Sequence, residues 1–366
     1  MVVYLEPWHY NTEEYLDLKE TNGNEAMRAR KLNTALWIPD EFFERVMKND
    51  DRYFFDPKEC PELAESYGKT FSEHYARYAA LAEKGEIRMR KKTKAQELYR
   101  DILIRMAKNG NYRINFKDRH NEKNQAPNYA MIHSTNMCTE ISIANREDST
   151  ATCTLASLNL SRFVMKEKLI NVESMSFAEK LECVNRKDIV ETTKIATQAL
   201  DNVIELNHYV SESSKKGSFD LRPLGLGVMG LGEMLLFLNI PYEHTDALAL
   251  SDKLGETIYK AALETSTELV KTRGTFADYS KENYPYEPRR NILLLAIAPT
   301  ATISNIAGTS SGIETFFSNV YARETISGKF TIIVQHLIDK LKAKGMRNDE
   351  VREKIMSAQG SVQHLN

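Results

Sequence analysis

Asn136-Met137-Cys138-Thr139-Glu140 sets a thiol and a carboxylate two residues apart, and Cys153 follows closely. The chain has 4 cysteines, so this neighbourhood holds half of them. Side chains of an extended segment alternate in direction. Read as a strand, the segment predicts Asn136, Cys138 and Glu140 on one face, with Met137 and Thr139 on the other. That face would present an amide, a thiol and a proton-transfer group together, a set suited to sulfur-centred chemistry beside an acid or base. The competing reading is structural. A lone cysteine is commonly a small buried hydrophobe, and alternating polar residues commonly make a strand's solvated face.

Composition narrows what the rest of the chain can be. Its 366 residues suffice for one large domain or two ordinary ones, and 42% hydrophobic with 27% charged residues is ordinary for a water-soluble fold. A net charge of -2 leaves no electrostatic footprint for nucleic acid or an anionic membrane. No apolar run is long enough to span a bilayer, and the opening MVVYLEPWHY lacks the basic and apolar regions of a secretory signal. Four cysteines in this length do not make a disulfide scaffold, which points to the cytoplasm. The chain opens directly on an apolar stretch, as a fragment of a larger fold would.

Outward from the central motif, strands and helices are interleaved. Val2 to Leu5 reads as a strand ended by Glu6-Pro7, and Thr12 to Lys19 as a short helix. Asn24 is placed to cap a helix to about Lys31. Thr34 to Ile38 reads as a buried strand, and Pro39-Asp40 opens a helix with Phe42, Phe43, Val46 and Met47 on one side. Asp51 to Lys91 is charged and tyrosine-rich, with helical pieces from Glu62 to Glu83. Thr93 and Gln96 suggest a capping box for a helix ending near Gly110, and Tyr112 to Phe116 reads as a strand. Asp118 to Asn128 is polar and turn-rich. Ala151 to Leu160 is a second apolar stretch with Cys153 near its start. Asp188 to Leu206 reads as an amphipathic helix with Ile189, Ile195, Ala199, Val203 and Leu206 on its apolar face, and Ser211 to Gly217 as a loop. Thr245 to Thr272 predicts the longest helix, closed by Gly274, and Asn291 to Ala298 a strand buried on both faces. The pattern is α/β, open or barrel.

Three other stretches carry residue types suited to chemistry. Gly225-Leu226-Gly227-Val228-Met229-Gly230 matches the dinucleotide pattern, but the preceding Ser218 to Pro223 makes a poor central strand, so close packing is the better reading. Pro299-Thr300-Ala301-Thr302-Ile303-Ser304 follows the apolar stretch and opens a helix. It suits either phosphate binding through backbone N–H groups or simple capping. Glu6-Pro7-Trp8-His9 has no role that its residues dictate. Cys60 and Cys183 are isolated, no zinc spacing occurs, and no paired Glu-x-x-His pattern of a di-iron site is present, so no metal ligands are assigned.

In order along the chain, Tyr4 to His9, Arg28-Ala29-Arg30, Ala35 to Asp40, Asn136 to Glu140, Cys153 to Leu160, Arg222 to Gly232, Pro299 to Thr302, and Asn319 to Arg323 with Ser327-Gly328 resemble signatures of one family. It is the large, catalytic (alpha) subunit of class I ribonucleotide reductase. The resemblance implies a ten-stranded α/β barrel with the radical cysteine on a loop threaded into its centre. Residues 1-366 would form a single catalytic barrel domain, incomplete at both ends. It implies reduction of ribonucleoside diphosphates to 2′-deoxyribonucleotides for DNA synthesis. Cys138 would carry a thiyl radical that removes the ribose 3′-hydrogen, a task suited to sulfur because the S–H bond is close in strength to the activated C–H bond. Glu140 would act as base on the 3′-hydroxyl, and Asn136 would hydrogen-bond the substrate. Cys153 would be half of the reducing dithiol, and Thr300, Ala301, Thr302 and Ile303 would hold the diphosphate. The glycines fall in a packing motif of the family. No cofactor would be held by this chain directly. A metal-containing small (beta) subunit would supply the radical, and thioredoxin or glutaredoxin the electrons. An oligomer is implied, with no membrane or direct DNA binding.

The sequence departs from the family pattern in ways that bear on activity. The dithiol partner expected for Cys153 falls upstream of Val2, and neither Cys60 nor Cys183 matches it. Most of the allosteric nucleotide site and the carboxy-terminal radical-transfer tyrosines are not in these residues. The resemblance therefore implies a central fragment working with complementing large-subunit fragments and the small subunit. The alternative is a non-catalytic remnant that only binds other reductase subunits. A cobalamin-dependent or glycyl-radical relative fits the class I segments less well, and a Rossmann dehydrogenase fits least.

Overall fold

A computed structural model describes residues 1–110, 112–284, 286–325 and 328–365. Ser327 lies outside the described residues. The elements in order are β1 (Val2–Leu5), α1 (Thr12–Asp17), β2 (Asn33–Ile38), α2 (Asp40–Lys48), β3 (Asp51–Phe55), α3 (Gly68–Glu83), β4 (Arg90–Lys94), α4 (Ala95–Asn109), β5 (Arg113–Phe116), α5 (Lys117–Glu122), β6 (Thr154–Asn159), α6 (Phe177–Glu182), α7 (Arg186–Leu206) and α8 (Glu212–Leu221). There follow β7 (Leu224–Met229), α9 (Leu231–Phe237), α10 (Thr245–Arg273), α11 (Ile303–Ala307), β8 (Val320–Thr325), β9 (Gly328–Ile333), α12 (Gln335–Ala343) and α13 (Asp349–Ser357). The architecture is α/β, and the described strands form small sheets. The chain divides into two compact units. The first comprises Met1–Thr152, His208–Leu221 and Ala277–Tyr286, and the second Cys153–Asn207, Arg222–Phe276 and Glu287–Asn366.

The first unit is built on a parallel sheet of order β1-β2-β5. Ala35 to Ile38 are at most 1% exposed, as expected of a parallel strand covered on both faces. Leu36, Ile38, Phe42, Phe54, Leu98 and Ile102 share one core cluster, which brings α2 and α4 onto the sheet. Met47 stands outside it, 77% exposed, contrary to its expected place on the apolar side of α2. Asp51–Phe55 is a strand rather than part of a helical region. It pairs antiparallel with β4, whose Arg90, Lys92 and Lys94 are exposed, while Tyr53 and Phe55 turn into a second core with Trp8, Phe71, Tyr75 and Tyr78. That pairing removes the expected capping box, because Thr93 is committed to the ladder opposite Arg52 and Gln96 donates to the Val46 carbonyl at 2.9 Å. Asn24 does cap, accepting from the Ala26 N–H at 3.0 Å, but only a single 3₁₀ turn, Glu25–Met27, follows. The turn-rich reading of Asp118 to Asn128 gives way to α5 over its first part.

The residues after β1 are structural. Lys117 is fully buried, and its ammonium donates to Glu6 at 2.8 and 2.9 Å and to the Leu63 carbonyl at 2.8 Å. The Trp8 indole N–H donates to the same carboxylate at 2.7 Å. Burial pushes the Glu6 pKa up, and the contacts with Lys117 and Trp8 only partly offset it. His9 accepts the Asn11 N–H on Nδ1 at 3.0 Å, and burial holds its pKa below the usual histidine range, so it is neutral at neutral pH.

In the second unit β6 and β7 pair in parallel. Asn291 to Ala298 runs beside β7 without forming a regular strand. Leu224, Leu226 and Ala296 N–H groups bond across at 2.8 to 3.1 Å, around a single Leu226–Leu295 bridge. Gly225 and Gly227 lie on β7 itself, and Gly230 follows it as the N-cap of α9. A Cβ on Gly227 would come within 2.3 Å of the Ala296 carbonyl oxygen, and one on Gly225 within 2.4 Å of the Leu155 side chain. These glycines let backbones approach closely.

Helix α7 extends as expected but turns a different face inward. Ile189, Thr193, Thr197, Leu200, Asp201 and Ile204 are buried, whereas Ile195 and Leu206 are 68% and 84% exposed. Thr193 and Thr197 can be buried because their hydroxyls donate to the carbonyls four residues back, at 2.7 and 2.8 Å. The rotation is set by Asp201, which is fully buried and accepts from Arg222 at 2.8 and 3.0 Å, Arg273 at 2.8 Å and Asn291 at 3.0 Å. Ser211 to Gly217, expected as a loop, largely belongs to α8 in the first unit.

Burial alone would raise the pKa of Asp201, but Arg222, Asn291 and Arg273 outweigh it and hold the carboxyl below its ordinary value. The folded state therefore favours the ionised form. Its contribution to stability is complete above the ordinary carboxylate range and fades as pH falls through the lowered folded value. Asp201→Ala should destabilise the chain by about 3–5 kcal/mol at neutral pH, read by urea denaturation, because it strands buried guanidinium charge. The difference between variant and parent should shrink on acidification.

Candidate active site

The central motif is a turn, not a strand. Residues 131–136 and 140–145 have no regular structure, and the turn closes through the Thr139 N–H to the Asn136 carbonyl at 3.2 Å. Thr139 has φ +76°, the left-handed region that a β-branched residue rarely adopts. The alternation expected for Asn136, Cys138 and Glu140 is thereby lost, but the turn brings Asn136 and Glu140 together more directly than a strand would. The Asn136 amide donates to the Glu140 carboxylate at 2.6 Å and accepts the Ile141 N–H on Oδ1 at 3.1 Å. Cys138 sits at the exposed apex.

The segment hangs from β1. The Tyr4 hydroxyl is hydrogen-bonded with the Thr135 hydroxyl, and both lie near the Asn136 carbonyl, at 3.4 and 3.3 Å. Beyond the motif, the Ser142 hydroxyl meets His120 Nδ1 at 2.7 Å. Tyr4, Thr135 and His120 carried no assigned role in the sequence. The available signal was alternation along β1, which places Tyr4 and Glu6 on the same side. Chemically, the turn presents an accessible thiol two residues from a carboxylate whose position is fixed by a neighbouring amide. An asparagine amide has two N–H groups, so engaging Glu140 leaves one for another acceptor.

Cys153 and Thr300 to Ile303 belong to the second unit. Cys153 is half-buried immediately before β6. Thr300 is buried with φ +52°, and its hydroxyl accepts the Gly312 N–H at 2.8 Å, so this hydroxyl is committed within the fold. Ala301, Thr302 and Ile303 are exposed at the start of α11. Thr302 occupies the N-cap position without a side-chain capping bond, which removes the simple capping reading. Among the described residues, no group of three or more His, Cys, Asp or Glu side chains is arranged to hold a metal ion, and no helix is long and apolar enough to cross a membrane.

Cys60 and Cys183 are buried, and burial drives both thiols up, Cys60 to about 12. The chain should accordingly sort its thiols. In a time course of iodoacetamide alkylation resolved by peptide mass spectrometry, Cys138 should react first, with Cys60 and Cys183 modified only under denaturing conditions.

A family model described as ribonucleotide reductase, barrel domain, matches residues 1–288 and 286–366. The chain is 35% identical to the ribonucleoside-diphosphate reductase subunit alpha of Chlamydia pneumoniae, over 99% of this chain and 37% of that protein. It is 33% identical to the ribonucleoside-diphosphate reductase large subunit of Danio rerio, over 99% of this chain and 47% of that protein. The chain thus spans less than half the length of these relatives. Among solved structures, the Actinobacillus ureae class Id ribonucleotide reductase alpha subunit shares its fold, with a TM-score of 0.72 at 23% identity, over 100% of this chain and 56% of that one.

Proposed function

The chain belongs to the ribonucleotide reductase barrel-domain family, and we propose that it is the catalytic portion of a ribonucleoside-diphosphate reductase. The observation that carries this reading is the turn at Asn136 to Glu140, where an exposed thiol lies two residues before a carboxylate braced by Asn136. Residues 1–366 belong to one catalytic barrel domain, part of a ten-stranded barrel, in a cytoplasmic enzyme.

Cys138 gives up its S–H hydrogen when an oxidising equivalent arrives from a metal-containing small subunit. The resulting thiyl takes the ribose 3′-hydrogen. Glu140 accepts the proton of the 3′-hydroxyl, and Asn136 holds that carboxylate in place while its remaining N–H is available to substrate. Cys153 supplies one thiol of the dithiol that delivers two electrons and two protons as the 2′-hydroxyl leaves C2′ as water. The dithiol closes to a disulfide, which thioredoxin or glutaredoxin reopens, and Cys138 returns the abstracted hydrogen to C3′. Its partner thiol comes from a complementing large-subunit segment. Ala301, Thr302 and Ile303 meet the diphosphate mainly through backbone N–H groups, with Thr300 shaping the loop through Gly312.

In the complete reductase, Cys138→Ser should abolish turnover while leaving ribonucleoside diphosphate binding nearly intact, checked by product assay and calorimetry. Cys153→Ser should permit hydrogen abstraction but stop multiple turnover. Loss of binding in the first variant, or unchanged multiple turnover in the second, would contradict the assigned roles. A complete reductase that binds substrate and subunits without product would identify a non-catalytic remnant.

A further inference from the structure

We propose that Tyr4 is a positioning residue for the reactive turn, acting through a row of packed rings that grips the turn-bearing segment at both ends. This rests on the reading of Cys138 and Glu140 as reacting groups. Tyr4 packs edge-on against Trp37, with centroids 5.9 Å apart and an 87° interplanar angle. Trp37, 1% exposed, lies 4.8 Å from the His120 ring. The ends of this row hold the segment on either side of the motif. Tyr4 takes Thr135 and the Asn136 carbonyl, and His120 takes Ser142 at 2.7 Å. Only residues 137–141 lie between the two attachments.

The Asn136 peptide group is where this matters. Its carbonyl faces the Tyr4 and Thr135 hydroxyls and also receives the Thr139 N–H that closes the turn. The side chain of the same residue holds Glu140 at 2.6 Å. Rotation of that peptide would move the apex thiol and the carboxylate brace together. Tyr4 thus sets the separation of thiol and base without touching either. The row rests on shape as well as hydrogen bonding, since the buried Trp37 indole N–H has no hydrogen-bond partner among the described residues.

The test is Tyr4→Phe, which keeps the ring against Trp37 and removes only the hydroxyl. In the complete reductase, kcat should fall about ten- to a hundredfold, the range expected for misplacement of reacting groups by about 1 Å. KM for the ribonucleoside diphosphate should stay within about twofold, because the loss is confined to the chemical step. Ser142→Ala, which releases the other attachment, should lower kcat in the same way. On the chain itself, Tyr4→Phe should change the alkylation rate of Cys138 several-fold while Cys60 and Cys183 stay protected. Parental kcat and Cys138 reactivity overturn the inference. So does a loss accompanied by exposure of Cys60, which would mark general unfolding. Turnover that survives Cys138→Ser overturns the underlying reading instead, so the two failures are distinct.

Discussion

Lys117 carries its charge with no exposed surface, and a charge withdrawn from water persists only where other groups meet it. Glu6, itself held by the Trp8 indole N–H, and the Leu63 carbonyl supply that match, so one buried ammonium ties the end of β1 to the start of α5 and to the chain before α3. The same constraint operates independently in the second unit. Asp201 gathers Arg222, Arg273 and Asn291, which lie far apart in sequence, and so fixes where α7, the approach to β7 and the end of α10 meet. Hydrophobic burial is non-directional and would accept several rotations of a helix such as α7. The buried carboxylate accepts one, because any other leaves guanidinium groups unpaired. The candidate site inherits this order, since Tyr4 stands two residues before Glu6 on the strand that Lys117 anchors.

How much of this could be read from sequence depends on whether a residue's partner is near or far in the chain. The β1, β2 and β5 strands, α2, the Gly110 and Gly274 helix ends and the packing role of Gly225 and Gly227 were legible, because alternation, helical spacing and glycine chemistry are local signals. Failures occurred where a distant partner decided the outcome. Thr93 looks like a cap until Arg52 is known to lie opposite it. Ser211 to Gly217 looks like a loop because serine favours loops. Yet Ser214 and Ser218 donate to the Ser211 and Ser214 carbonyls at 2.8 and 2.9 Å, and Gly217 admits the Thr150 carbonyl where a Cβ would come within 2.2 Å. Hydropathy favours Ile195 and Leu206 over Thr193 and Asp201 for the inward face because it cannot see a salt bridge. At the site, the residue types were legible and their geometry was not. Alternation placed Asn136 and Glu140 on one face, whereas a hydrogen-bonded turn makes them touch.

The backbone adds a separate observation. Non-glycine residues with positive φ among the described residues include Asn49, Tyr112, Thr139, Asn171, Arg222, Asn239, Thr300 and Gln359. Asparagine tolerates this region, but a β-branched side chain does so at a cost of about 1–3 kcal/mol. In that set the β-branched residues are Thr139 and Thr300, one in each unit, and each lies in a stretch that the sequence had singled out for chemistry. Both strained turns are held by specific bonds: Thr139 by its N–H to Asn136, and Thr300 by its hydroxyl, which accepts the Gly312 N–H. A strained turn persists only when its surroundings over-determine it. The ring row of Tyr4, Trp37 and His120 provides that over-determination around Thr139 by fastening Thr135 and Ser142. Strain at the apex and rigidity at its two attachments are therefore two sides of one arrangement. An exposed thiol two residues from a braced carboxylate keeps that arrangement only if the turn cannot relax, and the turn is fastened to the sheet through Tyr4.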